Sequence, residues 1–392
     1  MEITGNIPGK GLARIEVQAH RISKVEMKGP ADVGRPYVSA GLIDIQLNGY
    51  GGIDFCDQNL DATQVPKILS EVWKRGTTTF CPTVITNAHD ALLHNFRVLE
   101  EARQIDSRFA ASAPCYHLEG PYISPGPSHG AHDIRFMRPP DWGEFAEFQR
   151  AAGGHIGIVT LAPELPGAAE FIRQAVDSGV VVALGHTDAT PEQIHMGVEA
   201  GATLCTHLGN GNPQMIDRHR NTLWPQMAID QLSASLICDG FHLPADLVRV
   251  ILRAKGIERS ILITDAVYVA GLPPGRYSLV GLDIELLPTG QVVMADRHSM
   301  AGSALTMDRA VSRFMEFTAA SLTDALRAAT ANPARLLQRF EMCQEVAEGQ
   351  LANLTLFRMN NGAMQVEATV VAGETVYSRG QGSAASGPAI QK

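Results

Sequence analysis

The sequence predicts an α/β protein built on a (β/α)8 TIM barrel, with a small β-sandwich domain formed by the amino- and carboxyl-terminal segments. Eight short apolar runs alternate with helical patterns over about 300 residues, and segments of alternating polar and apolar residues lie at both ends of the chain. Parallel strands need long crossover connections, and an eight-fold repeat of strand and crossover is typical of a closed barrel. A doubly wound open sheet stays an alternative, because the number of strands does not establish closure.

The two ends of the chain predict the small β domain. Alternating segments such as residues 13–17 near one end and 353–357 near the other are typical of strands in a half-buried sheet. Because isolated strands need partners, we expect residues 1–40 and 346–380 to pair with each other. The small polar residues at 381–392 predict a mobile tail.

The central region, residues 41–345, is assigned to the barrel. The apolar runs predicted as strands span residues 42–47, 77–83, 115–118, 156–161, 180–184, 203–206, 234–238 and 261–263. Helical patterns lie at residues 64–75, 88–103, 168–178, 192–200, 244–254 and 307–318. Residues 275–294 interrupt this alternation with two strand-like segments around a Pro-Thr-Gly turn, which predicts a hairpin inserted after the eighth strand.

Composition and charge exclude several classes of protein. The formal net charge of −9 arises from 41 acidic and 32 basic residues without a Lys/Arg block, so we expect no nucleic-acid partner. No apolar run is long enough to span a bilayer, and the amino terminus lacks the features of a signal peptide. The six cysteines form no Cys-x-x-Cys pair, which argues against a disulfide framework. We expect a soluble cytoplasmic protein with no membrane partner.

Polar side chains follow most of the predicted barrel strands. They are Gln46 and Asn48 at the first strand, Glu119 at the third, His186 and His207 at the fifth and sixth, Asp239 and His242 at the seventh, and Asp265 at the eighth. A single histidine at a strand end is more often a hydrogen-bonded structural residue than a ligand. The joint pattern indicates a site, because the carboxyl ends of barrel strands share one face.

One carboxylate and two imidazoles in this set are a recognisable metal-binding combination. Glu119, His186 and His207 suit zinc or ferrous iron and leave a coordination position open for water. Such an ion lowers the pKa of its water toward neutrality. Asp265 is placed to act as the general base that receives the proton and returns it to a leaving group, although an Asp that caps the next turn is the alternative.

Seven motifs, in sequence order, carry a family resemblance. They are HLEGP at 117–121, GHTDAT at 185–190, THLGN at 206–210, DGFH at 239–242, LITDA at 262–266, AGSALTM at 301–307 and NPAR at 332–335. Each motif alone has low specificity, whereas seven in order have high specificity. Together they resemble the N-acetylglucosamine-6-phosphate deacetylases of the amidohydrolase superfamily.

The resemblance implies a metal-dependent barrel that hydrolyses an acetamide to an amine and acetate. The roles that it implies are metal ligation by Glu119, His186 and His207, acid/base catalysis by Asp265, and substrate contact by His132 and His242. It also implies a homodimer, with the partner subunit as a candidate contributor to a phosphate site.

The first strand departs from the commonest pattern of the superfamily. Many amidohydrolases carry His-x-His there for a second metal, whereas this chain has Gln46-Leu47-Asn48. A neutral amide is a poorer ligand than imidazole for a divalent transition metal, so we expect one divalent ion, zinc or iron(II). Residues 161–164 contain no lysine, which argues against a carboxylated-lysine bridge.

The phosphate site also departs from the family. Where the family has Asn-Ala-Met and then Arg-Glu-Pro-Gly, this chain reads NGNP at 210–213 and DRHRN at 217–221. Arg218 matches the phosphate arginine of the family, and exposed backbone amides at Asn210 and Gly211 offer an anion cradle. A solvated charged loop is the alternative interpretation.

The predicted function is removal of the acetyl group from an N-acetylamino sugar phosphate, with N-acetylglucosamine 6-phosphate as the leading substrate. One alternative is action on a different N-acyl sugar, and another is a deaminase or cyclic-amide hydrolase on the same barrel. A non-catalytic barrel is a third, which the joint presence of the metal-binding set and Asp265 disfavours. The sequence leaves open the sugar epimer, the phosphate and the role of residues 275–294.

Overall fold

The computed structural model describes residues 1–296, 299–338 and 340–380, so the predicted tail at 381–392 lies outside the described residues. In chain order the strands are β1 (Glu2–Ile7), β2 (Gly11–Gln18), β3 (Arg21–Gly29), β4 (Tyr37–Ala40), β5 (Leu42–Leu47), β6 (Gly49–Tyr50), β7 (Ile53–Asp54), β8 (Thr77–Ile85), β9 (Tyr116–Glu119), β10 (Ile156–Leu161), β11 (Val181–Leu184), β12 (Leu204–Cys205), β13 (Ser233–Ile237), β14 (Ser260–Ile263), β15 (Gly275–Leu279), β16 (Leu282–Leu286), β17 (Val292–Met294), β18 (Leu354–Asn360), β19 (Ala363–Val371) and β20 (Glu374–Ser378).

The helices alternate with the strands through the central region. They are α1 (Ile68–Trp73), α2 (His89–Ile105), α3 (Ser107–Ser112), α4 (Trp142–Ala151), α5 (Ala168–Asp177), α6 (Pro191–Glu199), α7 (Leu223–Ala228), α8 (Ala245–Lys255), α9 (Met307–Thr318), α10 (Leu322–Ala329) and α11 (Ala331–Leu336). No helix in the described part of the chain has the length and apolarity needed to cross a bilayer.

Eight parallel strands form the central sheet, and neighbours in the sheet follow the order of the chain from β5 through β8 to β14. The first and last strands meet at their carboxyl ends, where Asp265 N–H donates to Gln46 O at 2.9 Å and Asn48 N–H donates to Ala266 O at 2.8 Å. These bonds close the sheet into a barrel. The predicted (β/α)8 barrel is therefore confirmed, and the open doubly wound sheet is wrong.

The barrel strands are buried on both faces, as expected when helices cover a parallel sheet. Every residue of β5 and β10 is buried, and both strands have the predicted bounds. This double burial explains why apolar runs, rather than alternating patterns, located the strands. The sixth barrel strand, β12, has only two residues instead of the predicted four, because the chain turns at His207 soon after the strand.

The helix boundaries follow their capping residues. The capping box at α6 has Thr190 Oγ1 accepting from Gln193 N–H, with Pro191 as first helical residue. The helix α4 was not predicted, although Asp141 Oδ1 accepts from Glu144 N–H at 2.7 Å at its amino end. That Asp-x-x-Glu signal was present in the sequence.

The two ends of the chain share one seven-stranded sheet, in the order β20, β19, β18, β4, β1, β2, β3. The ends join where β4 pairs antiparallel with β18, which places Ala40 opposite Leu354 and Tyr37 opposite Phe357. A separate apolar cluster that includes Ile15 lies against this sheet. The predicted small β structure from both termini is confirmed.

The insertion after the eighth barrel strand is a three-stranded antiparallel sheet, with β16 between β15 and β17. The prediction of a two-stranded hairpin was therefore one strand short. Its apolar residues form a cluster of their own with Val267 and Ala301 from the segments that follow the eighth strand. Three members of this cluster, Val267, Leu279 and Ala301, also line the cavity at the mouth of the barrel.

Candidate active site

A cavity of about 490 Å³ opens at the carboxyl ends of the barrel strands. Eight of the nine predicted site residues line it, namely Glu119, His132, His186, His207, Asn210, Gly211, His242 and Asp265. The ninth, Arg218, is not part of the cavity wall. Convergence of strand ends from distant parts of the sequence is the expected consequence of barrel closure.

Three buried side chains meet at one point of this cavity. The distance from Glu119 Oε1 is 3.0 Å to His207 Nε2 and 3.4 Å to His186 Nε2, and the two Nε2 atoms are 3.1 Å apart. One ligand atom from each residue lies within 4.8 Å of the other two. A carboxylate with two imidazoles is a donor set that suits a divalent transition metal.

The hydrogen bonds around the cluster also fit a cation. His186 Nδ1–H donates to the Ser128 carbonyl at 3.0 Å, and this tautomer leaves the Nε2 lone pair facing the cluster. Burial alone would raise the pKa of Glu119, but the adjacent imidazoles of His186 and His207 hold it well below its usual value, so the carboxylate is charged. Electron pairs therefore converge on one buried point, and a divalent metal ion satisfies them.

The backbone is unusual at three of the strand ends that line the cavity. His186, His207 and Asp265 have φ angles of 48°, 31° and 50°, in the left-handed region that residues with a Cβ rarely adopt. Backbone strain of this kind is concentrated at functional sites. The turn away from the strand direction directs each side chain over the mouth of the barrel.

Two glycines permit loops to close over His186. A Cβ on Gly211 would lie 3.0 Å from His186 Nδ1, and a Cβ on Gly130 would lie 3.1 Å from its Cε1. Both glycines also have positive φ angles, of 59° and 60°. Gly211, predicted as an anion contact, therefore also packs against a member of the cluster.

Asp265 lies beside the three-residue cluster and is held from the first strand. Its Oδ1 accepts hydrogen bonds from Asn48 Nδ2 at 2.7 Å and from Gln46 Nε2 at 3.1 Å. Burial, and then the charge of Glu119, raise the pKa of Asp265 to about 6. Sequence reasoning treated Gln46 and Asn48 as missing metal ligands and did not predict this contact, although their spacing on a strand puts both on one face.

Two further histidines lie in the cavity wall. The ring of His132 lies 4.3 Å from that of His186 between centroids, and its Nδ1 lies 2.9 Å from Thr86 Oγ1. Burial, together with the nearby His186, lowers the pKa of His132 well below its usual value, so its imidazole is neutral. His242 Nδ1 donates to Asp239 Oδ2 at 2.7 Å, which fixes the orientation of the His242 ring.

The predicted anion site is less well assembled. Asn210 N–H donates to the His207 carbonyl at 2.9 Å, so the expectation of two exposed backbone amides at 210 and 211 is corrected for Asn210. Arg218 lies on an exposed loop, where its carbonyl accepts from Trp224 Nε1 at 3.0 Å. Arg220 forms an ion pair with Glu192 at 2.9 Å and is exposed.

Comparisons with known proteins agree with this geometry. The sequence profile of the amidohydrolase family matches residues 37–376. The N-acetylglucosamine-6-phosphate deacetylase of Bacillus subtilis is 33% identical over 334 residues, which are 84% of this chain and 82% of the relative. The protein of the same name from Homo sapiens is 30% identical over 356 residues, 88% of this chain and 85% of the relative.

Solved structures extend the similarity to three dimensions. A mutant of the N-acetyl-D-glucosamine-6-phosphate deacetylase from Mycobacterium smegmatis, in complex with N-acetyl-D-glucosamine-6-phosphate, superposes with a TM-score of 0.86 at 32% identity. The alignment covers 96% of this chain and 98% of that one. The corresponding enzyme from Thermotoga maritima has a TM-score of 0.84 at 27% identity, with coverage of 96% and 100%.

Proposed function

This chain belongs to the amidohydrolase family, and on that premise we propose that it hydrolyses the acetamide of N-acetylglucosamine 6-phosphate to the amino sugar phosphate and acetate. The observation that carries the proposal is the convergence of Glu119, His186 and His207 with Asp265 at one end of the barrel. The similarity to named deacetylases over most of the chain supports the substrate class.

The buried cluster would hold the metal ion. Glu119 Oε1 and the Nε2 atoms of His186 and His207 are its ligands in this proposal, and one ion, zinc or iron(II), is the occupant. When bound, such an ion polarises a carbonyl oxygen and lowers the pKa of a water molecule. The donors on the first strand are amide nitrogens directed at carboxylates, which supports one ion rather than two.

Asp265 moves the proton in the proposed reaction. Its carboxylate takes a proton from the water whose oxygen attacks the acetamide carbon, and later gives that proton to the nitrogen as the carbon–nitrogen bond breaks. The products are the amine and acetic acid, which ionises to acetate by passing its remaining proton to the amine or to solvent, so atoms and charge balance. A raised pKa suits this role, because the carboxylate must both accept and release the proton near neutral pH.

The two remaining cavity histidines would orient the substrate. His132 is neutral and buried beside His186, where its Nε2 is the ring nitrogen left for a substrate oxygen after the contact of Nδ1 with Thr86. His242 donates through Nδ1 to Asp239, which leaves its Nε2 lone pair to accept from a substrate hydroxyl. In both histidines the contact of Nδ1 fixes the ring, so that Nε2 has a defined position against the polar substrate.

A homodimer would complete the phosphate site. Arg218 lies outside the cavity of its own chain, on a loop between the exposed apolar side chains of Met215 and of Trp224 in α7. An exposed apolar patch of this kind marks a contact surface on many proteins. Arg218 would therefore bind the phosphate in the cavity of the second copy, beside Asn210 and Gly211.

A reducing cytoplasmic location fits the cysteines. All six are free and buried, including Cys81 and Cys115, whose Sγ atoms are 3.4 Å apart without a bond. Thiols this close remain unpaired in a reducing compartment. The cytoplasm is therefore the location that we propose.

Acetate release is the direct test. We expect the metal-loaded protein to release one acetate for each N-acetylglucosamine 6-phosphate consumed, and to act much more slowly on unphosphorylated N-acetylglucosamine. The Asp265→Asn variant is the matched control, because it removes the proton acceptor without removing volume. No acetate from any N-acetylamino sugar phosphate, with metal bound, would contradict the proposal.

A further inference from the structure

The first barrel strand contributes two side-chain amides to the site, and nothing in the mechanism above uses them. Gln46 and Asn48 lie two residues apart at the end of β5, and both side chains are buried, with 1% and 4% exposure. Burying an amide is costly unless it is hydrogen-bonded. Their contacts therefore deserve a functional explanation.

Both amides donate to the same oxygen of Asp265. Asn48 Nδ2 lies 2.7 Å, and Gln46 Nε2 lies 3.1 Å, from Asp265 Oδ1. Both amides direct their NH2 groups at Asp265, because an ionised carboxylate only accepts hydrogen bonds. An amide oxygen in the same place would be repelled by the carboxylate oxygen, since both carry negative charge. The two hydrogen bonds fix the plane of the carboxylate.

The other oxygen of Asp265 is left for the substrate. In the described part of the chain, the side-chain hydrogen bonds to Asp265 all end at Oδ1, and Asp265 forms part of the cavity wall. A carboxylate that is held through one oxygen presents the second in a defined direction. Proton transfer needs such a direction, because its rate depends on the alignment of donor and acceptor.

Gln46 links the two carboxylates of the site. The same Nε2 group that donates to Asp265 also donates to Glu119 Oε1 at 2.9 Å. Two carboxylates close together repel each other when both are charged. The amide hydrogens of Gln46 lie between them and offset that repulsion, which also fixes their spacing.

We propose that Gln46 and Asn48 are positioning residues that hold Asp265 by Oδ1, so that Oδ2 is the oxygen that exchanges a proton with the substrate. This inference rests on the proposed function, because it assigns the amides a role in the same proton transfer. Asn48 acts on Asp265 alone, whereas Gln46 also sets the distance between Asp265 and Glu119.

The test compares substitutions that remove the amide but keep the volume. We expect Asn48→Leu and Gln46→Met to lower kcat by about 10- to 100-fold while KM changes by less than about 3-fold. Asn332→Leu is the matched control, because its Nδ2 donates to the Ile257 and Ser260 carbonyls at the opposite end of the barrel. That control should lose thermal stability and keep kcat.

A double-mutant comparison identifies the residue through which Asn48 acts. In the Asp265→Asn background, Asn48→Leu should cause no further loss of kcat, because the group that it positions is already absent. An equal loss in both backgrounds would overturn the proposal. A kcat for Asn48→Leu within about 2-fold of the unchanged protein would overturn it too.

Two measurements do not depend on activity. The metal content of Asn48→Leu should equal that of the unchanged protein, and a crystal structure of this variant should show the Asp265 carboxylate rotated about its Cβ–Cγ bond. A carboxylate that keeps its plane would overturn the positioning role. If the unchanged protein releases no acetate, the proposed function fails, while the carboxylate plane still decides whether the amides hold Asp265.

Discussion

The buried cluster of Glu119, His186 and His207 and the exposed loop at 217–221 differ in how the chain holds them. Each member of the cluster lies at the end of a barrel strand, is at most 6% exposed, and has hydrogen-bond partners from distant parts of the chain. The side chain of Arg220, in contrast, is 69% exposed, and within the described residues its side-chain hydrogen bonds go to the exposed Glu192. In the proposed function the chemistry is therefore built into the barrel, whereas phosphate binding is assigned to a loop outside the cavity of its own chain.

Removing the cluster should cause the largest effect. We expect His207→Ala, or treatment with a chelator, to reduce acetate release to background, because the donor set is incomplete without one imidazole. Metal content measured alongside activity checks the cause. His195→Ala is the matched control, since His195 is exposed on α6, and it should retain both metal and activity. Full activity in metal-free protein would contradict the assignment of the chemistry to the buried cluster.

Asp265→Asn should cause the next largest effect. The substitution keeps the volume and removes the proton acceptor, so kcat should fall by about 10²- to 10⁴-fold with little change in KM. Steady-state acetate release, with metal content measured on the same samples, checks this. Asp246→Asn on the exposed surface of α8 should leave kcat unchanged. An Asp265→Asn enzyme with normal kcat would assign the proton transfer to another group.

The pH profile of kcat/KM tests whether burial raises the pKa of Asp265. Because burial and the charge of Glu119 raise the pKa of Asp265 to about 6, and the base must be ionised to act, kcat/KM should rise as pH increases through about 6 and then level off. The profile of kcat/KM between pH 4.5 and 8 measures this midpoint. A midpoint near 4, the ordinary value for an Asp, would mean that burial does not control this group.

Arg218→Ala should affect binding rather than chemistry. Loss of a charged hydrogen bond to phosphate should raise KM for the phosphorylated substrate by about 10- to 100-fold and change kcat little. Mixed dimers test the origin of the arginine. A dimer of one Arg218→Ala subunit and one Asp265→Asn subunit contains one intact site if Arg218 reaches across the interface. It contains none if Arg218 acts within its own chain, and mixtures that show only the raised KM of Arg218→Ala would exclude the shared site.

Arg220→Ala should cause the smallest effect. Exposed ion pairs such as that with Glu192 contribute about 0 to 1 kcal/mol to stability. KM should therefore change by less than about 3-fold, and the melting temperature by no more than a few degrees. The KM of Arg220→Ala for the phosphorylated substrate, measured beside that of Arg218→Ala, compares the two arginines of this loop. Equal losses in both variants would indicate that the whole loop, rather than Arg218, binds the phosphate.

The sequence by itself determined the barrel and the identity of most site residues. Continuous apolar runs mark strands that are buried on both faces, and the polar residues that end them must converge once the sheet closes. This is why Glu119 and His207, 88 positions apart in the chain, were predicted to meet. The conformation of the exposed loop at 217–221 was predicted less well, because no packing against other strands restricts an exposed segment.

Only the tertiary structure decided how the site is held. The left-handed backbone at His186, His207 and Asp265 leaves no local pattern in the sequence. The amide contacts of Gln46 to Glu119 and Asp265 join the first strand to two others, so no spacing along the chain predicts them. Local sequence specifies strands and their polar ends, whereas hydrogen bonds between distant strands depend on register and closure, which are properties of the whole fold.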